Sequence, residues 1–223
     1  MIYRYRGSYY TAADAWIIPD KPGCMLQGIE ARNYFQLFQK EIQDNEVSVF
    51  LAPKLPYWYV GIEMIFSPKR LDKLPDFFGD GDRVFVSQKA KEIIEKVDSF
   101  SHQFCPVIIK NKRGDKVVRK YFALHVRRNV DVQVLVDGLN HDDLDFTSNE
   151  DELSLIKYIN SSDETRSRVE QYPLWQLSGR DNRDIIYMNQ SIFDAFLSAS
   201  ISGLKEYTML NGSSKNKETI GHV

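Results

Sequence analysis

A nucleophile needs a base within reach, and His102 and Cys105 are the pair in this chain that offers the ingredients. Both lie in "HQFCPVIIK", an apolar run that reads as a strand. Three residues apart on a strand, thiol and imidazole point to opposite faces, which spoils a thiolate–imidazolium pair. Cys105 therefore reads as a core residue, the common setting of a free cysteine. No G-x-S-x-G stretch supplies another nucleophile.

Metal chemistry has one foothold, His141-Asp142-Asp143, in the order of the His-Asp pair of metal-dependent phosphohydrolases. Such a site needs further ligands on matching helices, and the residues around this tripeptide read as loop. The sequence has no HExxH, no clustered His/Cys set and no calcium-loop spacing. No catalytic residue, metal or cofactor is expected.

Phosphate binding is raised by "FFGDGDRVFVSQKAKEIIEKV", Phe77 to Val97. A phosphate loop keeps its glycines between strand and helix, so that helix-start amides face the anion. Here Gly79 and Gly81 precede the strand Arg83–Val86, and Asp80 and Asp82 would repel a phosphate. The segment reads as a turn.

Two charged stretches remain. Lys110, Lys112, Arg113, Lys116, Arg119, Lys120, Arg127 and Arg128 stand against the single Asp115, with Tyr121 and Phe122 interleaved. A nucleic-acid face would use such residues, but charged strand exteriors and edge protection explain them more simply. From His141 to Glu152 the acids are Asp142, Asp143, Asp145, Glu150, Asp151 and Glu152, with no Lys or Arg. A solvated loop accounts for them, and so does a contact surface for a basic partner.

The elements that must carry these residues follow from periodicity. In residues 29–43, Ala31, Phe35, Phe38 and Ile42 fall on one helical face. "EVSVFLAP" and "WYVGIEMIFS" read as strands, so the start of the chain is mixed and leans antiparallel. "RVFVSQKAKEIIEKV" is strand, Ser87 cap and helix, with Ala90, Ile93, Ile94 and Val97 buried and Lys89, Lys91, Glu92, Glu95 and Lys96 wet. "HQFCPVIIK", a turn at 112–115 and "KVVRKYFALHV" form a hairpin. Later, Ile186-Tyr187-Met188 is a strand, Asn189 a cap and Gln190 onward a helix. An offset of 102 residues sets Asn189 on Ser87, Ile192 on Ala90, Ala195 on Ile93 and Phe196 on Ile94. Apolar falls on apolar, so the plan reads as a diverged duplication.

Composition sets the frame. The 223 residues, 43% of them hydrophobic, suffice for a sizeable core. A net charge of −2 gives no global attraction to nucleic acid or to an anionic membrane. The charged, tyrosine-rich start lacks a signal peptide's apolar stretch, and no window is apolar enough to span a bilayer. Cys24 and Cys105 are far apart and fit a reducing compartment. A cytoplasmic protein is expected.

"KLPDFFGDGDRVFVSQKAKEIIEKV", "HQFCPVIIK" and "KYFALHV", in that order, resemble the predicted immunity proteins of bacterial polymorphic toxin systems, in particular families eleven and forty-three. The likeness rests on Leu74-Pro75-Asp76, the Ser-capped strand Val84 to Ser87, the "QF-x-PV" strand Gln103 to Val107 and the returning strand Tyr121 to Val126. "LWQLSGRDNRDIIYMNQSIFDAF" resembles the closing unit of such proteins, so the likeness spans residues 70–210. It implies a non-enzymatic cytoplasmic protein that binds and neutralises a cognate toxin. The alternatives are a metal-dependent phosphohydrolase using His141 and Asp142, or a nucleic-acid-binding accessory protein using the basic hairpin.

The expected fold is α+β: two diverged strand–helix–strand units with an antiparallel hairpin, after a mixed N-terminal region. The expected divisions are residues 1–72 (mixed), 73–210 (the duplicated immunity-type domain) and 211–223 (a frayed polar tail). The partner expected is a protein toxin, met by Asp142, Asp143, Asp145, Glu150, Asp151 and Glu152, with no role for membrane or nucleic acid. The sequence does not indicate an oligomeric state.

Overall fold

A computed structural model describes residues 2–6, 15–18, 40–44, 47–52, 54, 62–66, 74–79, 84–111, 113–130, 159–160, 163–177, 185–205 and 219–220. In chain order the strands of the first half are β1 (Ile2–Arg6), β2 (Ala15–Ile18), β3 (Lys40–Asp44), β4 (Val47–Leu51), β5 (Ile62–Phe66), β6 (Phe77–Gly79) and β7 (Val84–Ser87). Helix α1 (Gln88–Val97) follows, then β8 (Gln103–Asn111), β9 (Tyr121–His125), β10 (Arg128–Val130) and α2 (Asp163–Glu170). The rest are β11 (Leu174–Leu177), β12 (Ile185–Asn189), α3 (Gln190–Ser198), β13 (Leu204–Lys205) and β14 (Thr219–Ile220).

Helices α1 and α3 start as their sequences dictate. β7 runs straight into α1, and the Ser87 hydroxyl accepts the Ala90 N–H at 3.2 Å. β12 runs straight into α3, and Asn189 Oδ1 accepts the Ile192 N–H at 3.2 Å. The capped amides, Ala90 and Ile192, are the pair that the 102-residue offset superimposes. Each cap satisfies a helix-start donor that has no partner within the helix.

The two helix stripes meet in one core. Ala90 and Ile94 of α1 pack with Ile192 and Phe196 of α3, and with Phe77, Val84, Val86, Leu124, Leu174, Ile186 and Met188 from the strands. Side chains alternate across a strand, so Phe85 faces away from Val84 and Val86. Phe85 joins a second cluster with Leu74, Phe78, Cys105, Val107, Ile109, Tyr121 and Ala123. In that layer Ala123 is paired with Phe85 on one side and Cys105 on the other, a small residue between two larger ones.

Two six-stranded sheets carry these layers, in the orders β2-β5-β8-β9-β7-β6 and β1-β12-β11-β10-β4-β3. Neighbours are antiparallel except β5 with β8 and β10 with β11, which run parallel. Strands from the first 72 residues enter both sheets: β5 pairs with β8, β4 with β10, and β1 with β12. Cross-strand stacking adds to the second sheet, where Trp175 lies opposite Tyr187 with ring centroids 4.4 Å apart.

Several expectations need correction. The helical face over residues 29–43 does not hold at its end, because Lys40–Asp44 is β3, paired antiparallel with β4 from Lys40↔Leu51 to Asp44↔Val47. Backbone pairing in the sheet overrides a 3.6-residue pattern resting there on Ile42 alone; residues 29–39 lie outside the described residues. The hairpin returns later than expected, as β9 from Tyr121, with only a Lys110↔Lys116 bridge before it. Lys91, expected wet, is mostly covered: its Nζ lies 5.2 Å from the Phe104 ring centroid and 5.6 Å from that of Phe122. Within the polar tail, Thr219 and Ile220 pair with Lys205 and Leu204.

Phe77–Gly79, in the glycine–aspartate stretch, is one arm of an antiparallel hairpin with Val84–Val86. The residues between the arms, 80–83, lie outside the described residues; the helix N-terminus after β7 is capped by Ser87.

Candidate functional site

Cys105 is buried in the second core cluster, and burial pushes its thiol up to about 11. Its neutral form is the only one present near pH 7, so it is not a poised nucleophile. His102 precedes β8 and is committed elsewhere. Its Nδ1 accepts the Arg127 N–H at 3.2 Å, so the proton sits on Nε2, which donates to Asp98 Oδ2 at 3.1 Å. Burial pushes His102 down from its ordinary value; Asp98 pushes back, and the charges of Arg128 and Arg127 push it down further.

The Asp98 carboxylate is the centre of a closed polar knot. It takes the Arg128 guanidinium in a fork, Nη1 to Oδ2 at 2.7 Å and Nη2 to Oδ1 at 3.0 Å. It also accepts the backbone N–H of Phe100 at 3.0 Å and of Leu174 at 3.2 Å. Burial acts to raise the Asp98 carboxyl, but the His102 and Arg128 hydrogen bonds and charges outweigh it and hold the group at about 2. Arg128 is sandwiched by Phe100, 4.2 Å from its ring centroid, and Tyr172 at 5.3 Å. Arg127 ties in the end of β4, donating from Nε to Ala52 O at 2.9 Å and from Nη1 to Ser101 at 2.8 Å. Both members of this Asp–His pair are buried, and their described partners are all internal groups, so the pair holds elements together.

A second knot forms around Asp76, in the Leu-Pro-Asp run. Ser87, while capping α1, donates its hydroxyl proton to Asp76 Oδ1 at 2.6 Å. Ser202, in the turn after α3, gives its N–H at 3.0 Å and its hydroxyl at 2.8 Å to Oδ2, and Arg119 pairs with Oδ1. Burial works against the carboxylate, but these donors and the Arg119 charge hold the group below its usual range. Next to this knot Gly203 has φ +89°, and a Cβ there would lie 1.9 Å from the Phe77 carbonyl oxygen, so only glycine lets the turn approach β6. Asp76 thus joins the start of α1 to the end of α3.

The basic hairpin does not survive as one face. Arg127 and Arg128 are interior groups of the Asp98 knot, and Arg119 is tied to Asp76. Tyr121 is buried with its hydroxyl on the Leu74 carbonyl at 3.0 Å, and Phe122 is overlaid by Lys91, so neither offers a base-stacking platform. Arg113, Lys116, Val118 and Lys120 stay exposed on the β8–β9 connection.

Asp142, Asp143, Asp145, Glu150, Asp151 and Glu152 lie outside the described residues, as does His141. Among the described residues no group of three or more His, Cys, Asp or Glu is placed to hold a metal ion. No helix among them is long and apolar enough to cross a membrane. Asp76, Asp98, Arg127 and Arg128 were not legible as a unit in the sequence. The one signal is the Arg127-Arg128 pair set between Val126 and Val130, charges where the pattern calls for core.

Among the described residues, the buried charged groups Asp76, Asp98, Arg127 and Arg128 are all engaged in internal ties of this α+β scaffold. The Immunity protein family (Imm11) matches residues 4–137, more than half of the chain, and the chain belongs to that family. It is accordingly a non-enzymatic immunity protein. The match takes in β1 to β10, reaching further toward the N-terminus than residues 70–210, and stops short of the α3 unit. No curated protein matches the sequence.

Proposed function

We propose that this chain binds a cognate bacterial protein toxin in the cytoplasm and neutralises it by covering its active site or holding it in an inactive state. The observation that carries this reading is membership of an immunity family over residues 4–137. Two internal polar knots support it, because they make the scaffold stiff without supplying a reactive group. Asp142, Asp143, Asp145, Glu150, Asp151 and Glu152 are proposed as one contact surface, suited to a basic toxin such as a nuclease.

The test is affinity purification of the tagged chain from its native cell, followed by identification of whatever binds stoichiometrically. The expected partner is a toxin domain whose expression alone stops growth and whose co-expression with this chain does not. A chain that gives no protection against its stoichiometric partner, or that has none, is not acting as proposed.

A further inference from the structure

The β8–β9 connection is built as a projecting arm. Every residue from Arg113 to Lys120 is exposed except Val117, which packs against the Phe78–Phe85–Tyr121 cluster. The next residue, Val118, is 99% exposed, the most exposed large apolar side chain among the described residues. A loose loop would leave a valine outside by chance, but this one is tied at both ends. The Val117 N–H bonds Ile109 O at 2.8 Å, the Gln88 N–H bonds Lys120 O at 3.0 Å, and Arg119 reaches the Leu74 carbonyl at 3.2 Å and the Asp76 carboxylate. The anchors fix Val117 inward and leave Val118 outward at no cost to the fold.

We propose that this arm, Arg113 to Lys120, docks on an acidic protein surface, with Val118 entering an apolar notch and Lys116 and Lys120 meeting carboxylates around it. The arm's charge sets the sign of the partner: Arg119 is already paired with Asp76, and Arg113, Lys116 and Lys120 stand against Asp115. A protein fits better than a nucleic acid, because the neighbouring Tyr121 is buried, Phe122 is partly buried beneath Lys91, and the exposed centre is aliphatic. A held loop loses little freedom on binding, so burial of one valine converts to about ten- to a hundredfold in affinity. The inference rests on the toxin-binding reading and adds to it a contact of opposite sign to the acidic segment.

The experiment uses the full chain and the toxin purified with it. A photo-crosslinking amino acid is placed at Val118 and, as control, at exposed Lys96 on α1. The expected result is a crosslink from position 118, and none from 96, to an acidic stretch of the toxin. Val118→Asp should weaken toxin binding about tenfold or more with an unchanged melting temperature. Lys116→Glu with Lys120→Glu should slow association and remove part of its salt dependence. Toxin that is bound and neutralised but neither crosslinked at 118 nor sensitive to these changes overturns the arm and leaves the immunity reading intact. Crosslinks to nucleic acid or to a second copy of the chain also overturn it. A chain with no toxin partner removes both proposals together.

Discussion

Asp98, the C-cap of α1, holds Arg128 of β10 in a buried two-pronged ion pair, at 2.7 and 3.0 Å. Breaking such a pair leaves a charge with no water and no partner, whereas replacing both members with apolar groups is far milder. Asp98→Asn is expected to cost about 3–5 kcal/mol. Asp98→Leu combined with Arg128→Met should cost less than the single change. Urea denaturation of wild type and both variants at pH 7 decides the point.

Acid should unfold the protein in two stages. The unfolded chain takes up a proton at His102 near its ordinary value of about 6.5, while the folded chain resists it, so stability falls as pH drops below that value. A second fall begins below about pH 4, where unfolded Asp98 and Asp76 protonate, and for Asp98 it runs down to a folded value of about 2. His102→Gln should flatten the first stage and leave the second. Denaturant midpoints measured from pH 8 to pH 3 would show one smooth decline instead if His102 plays no part.

Two glycines in the left-handed region should respond differently to alanine. Gly203 faces the Phe77 carbonyl with no room for a Cβ, and Gly203→Ala is expected to cost on the order of 3 kcal/mol or more. Gly114, at φ +88° in the arm, has nothing within 4 Å of the added carbon, and Gly114→Ala should cost only about 1–2 kcal/mol. Comparable melting temperatures for the two variants would show that the turn after α3 does not press on β6.

The shared core sets a third scale. Ile94→Ala should cost about 2–5 kcal/mol and Phe196→Ala about 3–5, since both lie at the centre of the layer where α1 meets α3. Lys91→Ala removes a cation over Phe104 and Phe122 and a pairing with Glu95, worth together about 1 kcal/mol. Equal losses at Ile94 and Lys91 in denaturant melts would contradict this packing.

For the proposed acidic contact, charge reversal of Asp142, Asp143 and Asp145 to lysine should slow toxin association and leave the melting temperature nearly unchanged. The effect should shrink as salt shortens the Debye length below about 8 Å. Association rates that match wild type at low and high salt would show that these carboxylates only solvate a loop.

What could be read from residue order was local. Ser87 and Asn189 declare helix starts because a cap is written within four residues, and the buried stripes of α1 and α3 repeat within three turns. The strand character of Lys40–Asp44 comes from its pairing with β4 and not from its own pattern. The knots were invisible for a related reason. Asp98 meets Arg128 thirty residues on and Leu174 seventy-six residues on, and nothing in either neighbourhood announces the other. Basic residues on one stretch of sequence also looked like one surface, yet Arg127 and Arg128 turn inward while Lys116 and Lys120 turn out.

The pairing of β1 with β12 has a consequence in time. Ile2 lies opposite Asn189, and its backbone is gripped from the other side by Asn160, which both donates to and accepts from it at 3.0 and 2.9 Å. Tyr3 stacks on Phe193 at 3.9 Å and bonds Gln190. β1 therefore waits for β12, an interval of about 10–40 s at ordinary synthesis rates of about 5–20 residues per second. Until then α1 lacks its partner α3, and the second sheet lacks β12, the strand that joins β1 to β11. If the chain neutralises a toxin as proposed, finished copies must be in hand before that toxin becomes active.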